Sequence, residues 1–462
     1  MHKSKWIPIA VLCTISLVLK LLWIGHNELA HDEPFTLLQA HRSLAGLFKI
    51  LPEENNPPLH FMLMQFWVKL VPLETAWLRV PSAIFSALII WPLFSIGRKL
   101  HGERVAWIAS LLFLFSSYHT GFAHEVRAYS LFALLATTSI LQLHRISIGK
   151  PATWLVVVNI LMVYTHFFGW LMIGIQFLCV FLMKEWRPQW KRFLLSLLPV
   201  VIAFLPYILI FTQRVSTSVG KGTWLTSPSP EEIYNMIWDW SNAPVAAVFF
   251  IFMIAIHLLR DRLRGTLTRL AVTWAFVPLI GMWIASQFVP IFLDRYLIYA
   301  SPGFYLLCAV ALTQFLQRER TWWLFPITGV LLMLVSFKPY NTNWPKPSKV
   351  IETTAELRDR ENVPVYIHPW WYAHTFAWHT DPALYKDPEN LIEELSDRNI
   401  QPLAQLETLE GSDQNKVIVI VAGAEEQRMF DQWIDRKIWS VESTEADRHV
   451  HVHLLHHSDR SE

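Results

Sequence analysis

The sequence predicts a polytopic α-helical membrane protein that carries a small α/β domain at its C-terminal end, and three observations lead there. Of 462 residues, 53% are apolar and 16% charged, with a mean hydropathy of +0.31; a globular domain carries about 25% charged residues. The apolar residues gather into runs close to the roughly 20 residues that a helix needs to cross a bilayer core. The Lys and Arg residues fall in alternate loops between those runs. The 23 Trp and 29 Phe are aromatic mass of the kind that collects at membrane interfaces. A net charge of +2 creates no overall field for nucleic acid or an acidic partner. Cys13, Cys179 and Cys308 each lie inside an apolar run, so the sequence offers neither a disulfide framework nor a Cys-based metal site. A soluble cytosolic protein is excluded.

The apolar runs place spans at 6–25, 78–97, 104–122, 127–144, 152–165, 167–183, 193–211, 243–259, 270–290, 296–316 and 321–337, about eleven in all. The first has a basic start and an apolar middle like a signal peptide. It runs longer than a usual signal core and no small-residue cleavage site follows, so it reads as a retained anchor. Segment 57–71 is apolar but brief, and Pro57-Pro58 open it. It reads as a re-entrant or interfacial helix of an outer loop, since a run of about 10–15 residues seldom spans.

Orientation follows from the loop charges. With the N-terminus in the cytoplasm, the inner loops hold Lys3/Lys5, Arg98/Lys99/Arg104, Arg145/Lys150, Lys184/Arg187/Lys191/Arg192, Arg260/Arg262/Arg264/Arg269 and Arg318/Arg320, against the acids Glu103, Glu185, Asp261 and Glu319. The outer loops hold more acids than bases. After Phe337 the composition changes. Residues 338–462 alternate charge-rich helical patterns (349–361, 388–399, 424–436) with short β-type runs (363–368, 416–422, 449–454), the pattern of a small α/β domain. The domains are therefore 1–337, transmembrane, and 338–462, which an odd number of spans puts outside the cytoplasm.

The chemistry-bearing residues lie at the outer ends of the spans. The first outer loop contains His31-Asp32-Glu33 and ends in Asn55-Asn56-Pro57-Pro58-Leu59-His60. Adjacent carboxylates straight after a span are costly near the interface unless something uses them, although a solvated acidic loop would carry the same residues. Glu125, Arg127 and Tyr129 form Glu-Val-Arg-Ala-Tyr after the third span, where acid and base could simply neutralise one another. Asp294-Arg295-Tyr296 opens the tenth span, where an interfacial anchor explains it equally well. Arg79 opens the second span, and His166 lies between the fifth and sixth. Together they put acids, guanidinium groups and imidazoles on one membrane face, which argues for an outward-facing site.

In the tail, His449, His451 and His453 share one face of a strand, as zinc ligands could. A solvent-facing strand is the plainer reading, and no metal site is assigned. His368, His374 and His379 surround Trp370-Trp371 as a carbohydrate-facing surface or, by preference, as a contact to the membrane domain.

The order Asp-Glu after the first span, Pro-Pro-Leu before an interfacial helix, Leu-Arg-x-Pro-Ser at 78–82, Glu-x-Arg-x-Tyr at 125–129, Thr-His-Phe-Phe-Gly at 165–169 and Arg-Tyr at 295–296 resembles the C-type membrane glycosyltransferases. More narrowly, it resembles the bacterial branch of the dolichyl-phosphate-mannose protein mannosyltransferase family, to which the lipid A aminoarabinose transferase belongs. The resemblance covers residues 1–310, and the trailing domain is also similar. It implies transfer of a sugar, hexose or pentose, from a polyprenyl-phosphate donor to a hydroxyl of a glycan, lipid or protein acceptor outside the cytoplasm, with inversion.

It further implies Asp32 as base with Glu33 beside it, and Arg127, Arg295 and Arg79 as ligands of the donor phosphate. His31, Asn56, His60, Glu125, Tyr129, His166 and Tyr296 would complete the substrate site. Family members often carry His or Lys before Pro-Pro, where this chain has Asn56; that moves phosphate binding toward the arginines. Related enzymes with Asp-x-Asp use a divalent metal. The adjacent Asp32-Glu33 of this chain points to none, and no other cofactor is implied.

Two rival readings are a transporter or flippase for a lipid-linked sugar and a non-catalytic envelope-assembly partner. Transporters usually show internal repeats and midplane charges. This chain shows no repeat, and its acids sit at span ends.

Overall fold

A computed structural model of the chain describes residues 6–220, 225–314, 323–435 and 438–458; the expected basic pairs Lys3/Lys5 and Arg318/Arg320 lie outside the described residues. The chain forms two compact units. The first comprises residues 1–24, 48–60 and 79–340, the second residues 25–47, 61–78 and 341–462. Most of the loop that follows the first apolar helix therefore belongs with the C-terminal residues, whereas the sequence places the domain boundary after Phe337.

Each expected span coincides with a helix. In order these are Ile7–Leu21, Thr75–Leu88 continuing as Ile90–Leu100, Glu103–Leu114 bent into Ser117–Ala123, Tyr129–Ser147, Thr153–Val163, Gly169–Leu182, Trp190–Phe204 continuing toward Ile208–Gly220, Pro244–Asp261, Thr266–Ala285, Ser301–Thr313 and Leu324–Val335. By length and composition, the continuous helices Thr75–Leu100, Arg187–Ser216, Pro244–Asp261 and Thr266–Ala285 can each cross a membrane, and the bent pair adds one more. The short apolar helix expected at 57–71 is Leu59–Trp67.

The outside of the first unit is apolar. Leu195, Leu209, Leu259 and Phe288 stand mostly exposed, far more bare apolar surface than water tolerates and suited to lipid. Its inside is joined by small residues and amides. Asn159 and Gln176 exchange hydrogen bonds at 3.0 and 2.9 Å, and Gln176 also donates to Ser139 at 3.0 Å, polar links of the type that hold helices together in a bilayer. A Cβ at Gly303 would meet Trp274 at 3.0 Å, so only glycine lets those two helices approach.

The bent pair turns by 58° at Phe115-Ser116, and a break inside an apolar bundle leaves backbone groups that need new partners. Asn242 supplies them. Its amide donates to the carbonyls of Phe115 (2.6 Å) and Met333 (3.0 Å), and its oxygen accepts from the Ser117 N–H (2.8 Å). Ser116 accepts from the His119 N–H as a helix cap and bonds Tyr305 at 2.8 Å. Asn242 itself sits at φ +65°.

The second unit contains a five-stranded sheet, β1 (Val365–His368), β2 (Ile400–Pro402), β3 (Lys416–Ala422), β4 (Trp439–Asp447) and β5 (Val450–His457), in the order β2-β1-β3-β5-β4. β2, β1 and β3 run parallel, while β5 is antiparallel to both β3 and β4. Val417, Val419 and Val421 pack with Phe430 and Trp433 of helix Ala424–Ile434. The sequence pattern misses β4, whose SVESTEAD run is polar because β4 is the exposed edge. It also misses β2, which is three residues long. The plainer reading of the histidine tail is corrected: β5 is an interior strand, paired on both sides. His453 is buried on Phe430 at 4.1 Å and bonds Thr444 and Gln427.

Because Asn242 closes the break through its side chain, Asn242→Gly should lower the thermal midpoint of the detergent-solubilised protein. Each buried group left unmatched costs about 1–3 kcal/mol, more than glycine regains at a left-handed position. An unchanged or raised midpoint in differential scanning fluorimetry would show that only the backbone conformation matters there.

Candidate functional site

The first unit gathers two guanidinium groups around one imidazole. Arg127 lies on the short connection between helices Ser117–Ala123 and Tyr129–Ser147. That connection is pinned by His124 on the Lys20 carbonyl (2.7 Å), Ser130 on the Phe122 carbonyl (3.0 Å) and Ser82 on the Arg127 carbonyl (3.5 Å). Arg127 is 8% exposed, and its guanidinium lies 5.8 Å from the ring centre of Tyr129. Arg295 sits in the short 3₁₀ turn Asp294–Leu297, where its N–H donates to the Asp294 carboxylate (2.6 Å) and its guanidinium lies 5.9 Å from the Tyr296 ring.

His166 stands between them, in the loop joining helices Thr153–Val163 and Gly169–Leu182. Its ring stacks on Phe132 at 4.8 Å and meets Tyr296 at 5.6 Å and Tyr129 at 6.1 Å. Phe168, 5.0 Å from Tyr296, closes the aromatic wall and donates its N–H to His166 Nδ1 at 3.2 Å. That bond makes Nδ1 the acceptor, so Nε2 carries the proton. Among the described residues Nε2 is buried with no hydrogen-bond partner. Burial, then the charges of Arg127 and Arg295, push the ring down to about 3. His60 behaves likewise. It lies in the first turn of the short helix Leu59–Trp67, which is tied by the Leu59 N–H to the Tyr164 carbonyl (3.0 Å). Burial, then Arg127, hold it at about 3, and its Nε2 also lacks a partner among the described residues.

The sequence thus names four of the residues that meet at His166, namely Arg127, Arg295, Tyr129 and Tyr296. It leaves out Phe132 and Phe168. Phe132 falls one turn after Tyr129, a helical spacing that marks a shared face, and Phe168 lies inside Thr-His-Phe-Phe-Gly. Asn56 is buried and Glu125 half-buried in the same unit. Arg79 is fully buried and donates to the Ile24 carbonyl at 3.0 Å. His124 on Lys20 occupies a carbonyl at the end of helix Ile7–Leu21, a group such an end leaves unsatisfied, and Arg79 holds the chain just beyond it.

The acidic pair belongs to the second unit and its two members differ. Glu33 is 1% exposed, with its carboxylate folded back onto the Ala30 N–H at 3.3 Å. Asp32 is half-buried at the start of helix Glu33–His41. His31 before it has φ +54°, a left-handed conformation that non-glycine residues hold only when their surroundings impose it. Among the described residues no group of three or more His, Cys, Asp or Glu could hold a metal ion.

In both His60 and His166 the folded-state value lies below the ordinary 6.5. The unfolded chain therefore binds more protons between those limits. Their contribution to stability is present above pH 6.5 and is lost as the pH falls toward 3, by up to about 1.4 kcal/mol per pH unit for each ring. The double variant His60→Asn/His166→Asn should show a flatter fall of thermal midpoint between pH 6.5 and 4 than the parent. Parallel curves would show that these rings do not titrate as described.

No family model and no curated protein matches the chain by sequence. Solved structures do match. ArnT from Cupriavidus metallidurans superposes with a TM-score of 0.60 at 12% identity in its apo state, over 98% of each chain. In the form bound to undecaprenyl phosphate it gives 0.60 and 13%, over 97% of this chain and 98% of that one. The archaeal oligosaccharyltransferase AglB from Archaeoglobus fulgidus, in complex with an inhibitory peptide and a dolichol-phosphate, gives 0.51 at 11% identity over 91% of this chain and 70% of that one. The chain therefore shares the fold of ArnT and AglB, a polytopic helical arrangement with a small α/β part.

Proposed function

We propose that this chain is a membrane glycosyltransferase that takes one sugar, hexose or pentose, from a polyprenyl-phosphate carrier and passes it to a hydroxyl of a glycan, lipid or protein acceptor. The observation that carries the reading is the convergence of Arg127 and Arg295 on a neutral His166 whose Nε2–H is free to donate. Two fixed guanidinium groups match phosphate oxygens with their planar forks, and a neutral imidazole adds a donor. The likeness to a transferase fold solved with undecaprenyl phosphate supports the same class of ligand.

In the reaction the anomeric carbon–oxygen bond to phosphate breaks as the acceptor oxygen attacks from the opposite side, inverting the centre. Asp32 takes the acceptor's proton, a step worth about 10²–10⁴-fold. Both bonding electrons leave with the polyprenyl phosphate, whose growing charge is met by preorganised donors in a site of low dielectric. Glu33 supports the turn that presents Asp32. The adjacent Asp32-Glu33, in place of Asp-x-Asp, gives the reading no divalent metal. About eleven spans, an N-terminus in the cytoplasm and residues 338–462 outside it complete the arrangement.

Asp32→Asn should abolish transfer from a synthetic undecaprenyl-phosphate sugar by the lipid-reconstituted protein, with expression and membrane insertion unchanged. Retained turnover would remove Asp32 from the mechanism. Arg127→Gln and Arg295→Gln should each weaken binding of undecaprenyl phosphate by at least tenfold, the loss of one charge-assisted contact. Unaltered affinity in both, measured by microscale thermophoresis in nanodiscs, would refute the phosphate site.

A further inference from the structure

The turn that presents Asp32 is fastened at several points by residues more than 300 positions later in the chain. Helix Pro347–Glu361 has Lys346 before it with no side-chain cap and Pro347 in its first turn, so its exposed N–H groups need an external acceptor. Glu28 provides it. One carboxylate oxygen accepts from the Ser348 N–H at 2.8 Å and the other from the Ser348 hydroxyl at 2.6 Å, at the end of a helix where negative charge is favoured. Beside it, the Trp344 indole donates to the Glu28 carbonyl at 2.7 Å, and His379 Nε2 donates to the Leu29 carbonyl at 2.7 Å. The His31 ring meets Trp344 edge-on at 4.8 Å, and Phe35 meets His374 at 4.9 Å.

Residues 28, 29, 31 and 35 are thus each fastened to the segment 344–379, on both sides of Asp32. His31 keeps its left-handed backbone inside this frame. A solvated loop would not impose such a conformation, since its cost must be met by the surroundings. All these residues belong to the second unit.

We propose that Glu28, Ser348 and Trp344 are positioning residues that fix the carboxylate of Asp32 for the acceptor, and that the C-terminal domain serves the reaction by holding this turn. The proposal rests on the reading of Asp32 as base. Small displacements of a catalytic group cost up to about 10²-fold in rate without touching the chemistry itself, while the donor phosphate is held by arginines elsewhere in the chain.

The test uses the full chain in lipid nanodiscs, with Glu28→Gln, Ser348→Ala, Ser348→Thr and Asp32→Asn. Hydrogen exchange of the amides 28–33 and 35 reports the turn, kcat and KM are taken on a panel of synthetic undecaprenyl-phosphate sugars, and undecaprenyl phosphate alone probes the donor site. Glu28→Gln and Ser348→Ala should speed exchange of the turn at least tenfold and lower kcat about 10–100-fold, with KM and undecaprenyl phosphate affinity within twofold of the parent. Ser348→Thr, which keeps both donors, should behave as the parent. Unchanged exchange in Glu28→Gln, or faster exchange with unchanged kcat beside an inactive Asp32→Asn, overturns the positioning role and leaves the reading of Asp32 intact. A fall in kcat matched by a lost donor affinity also overturns it, as that is general misfolding. An active Asp32→Asn overturns both.

Discussion

The constraint on which the first unit's site depends is electrostatic: two guanidinium groups lie near enough to one buried imidazole to act on its charge. Like charges brought together away from water repel, and neither can shed its proton, because arginine stays charged in proteins. The protein's adjustment falls on the imidazoles. His166 and His60, both held at about 3, stay neutral and add nothing to the repulsion. The rings of Tyr129 and Tyr296 offer their faces to the two cations, a modest attraction of about 0.5–2 kcal/mol each. An anion placed there would meet positive charge and at least one neutral N–H donor.

The same economy of protons separates the members of the acidic pair. Glu33 is buried and folded onto its own turn, so its oxygens serve the backbone that carries Asp32. Placing a carboxylate at the first turn of helix Glu33–His41 also suits the local field. Asp32 is the more accessible of the two. One acid that shapes the turn and one that faces outward is a division that the bare dipeptide does not reveal.

The apolar helices and local motifs were legible in the sequence because each is a local property. Apolar runs report lipid-facing or buried helices directly, and every expected run coincides with a helix. Arg127, Arg295, Tyr129 and Tyr296 stood out because charge at a span end is expensive. What stayed hidden depends on contacts between distant residues. Glu28 looks like any loop acid until Ser348 is beside it, and Asn242 looks like a turn residue until the break at Phe115 needs its amide. β4 escaped because a polar edge strand gives up the alternation by which strands are recognised. His453 escaped for the opposite reason: a run rich in histidine reads as polar, yet its ring nitrogens are matched by Thr444 of β4 and Gln427 of helix Ala424–Ile434.

The protonation states also limit the chemistry. To expel an alcohol from a glycoside, an enzyme protonates the departing oxygen with an acid whose pKa lies near the working pH. The two imidazoles beside Arg127 cannot do this near neutrality, since values near 3 leave them without an acidic proton to give. A phosphate leaving group makes no such demand. It departs as an anion already, and what it requires is fixed positive charge with hydrogen-bond donors aimed at its oxygens. In the proposed reading the arginines supply the charge and His166 Nε2 the donor. Neutral imidazoles beside guanidinium groups thus suit the phosphate donor proposed above, which asks no proton of these two rings.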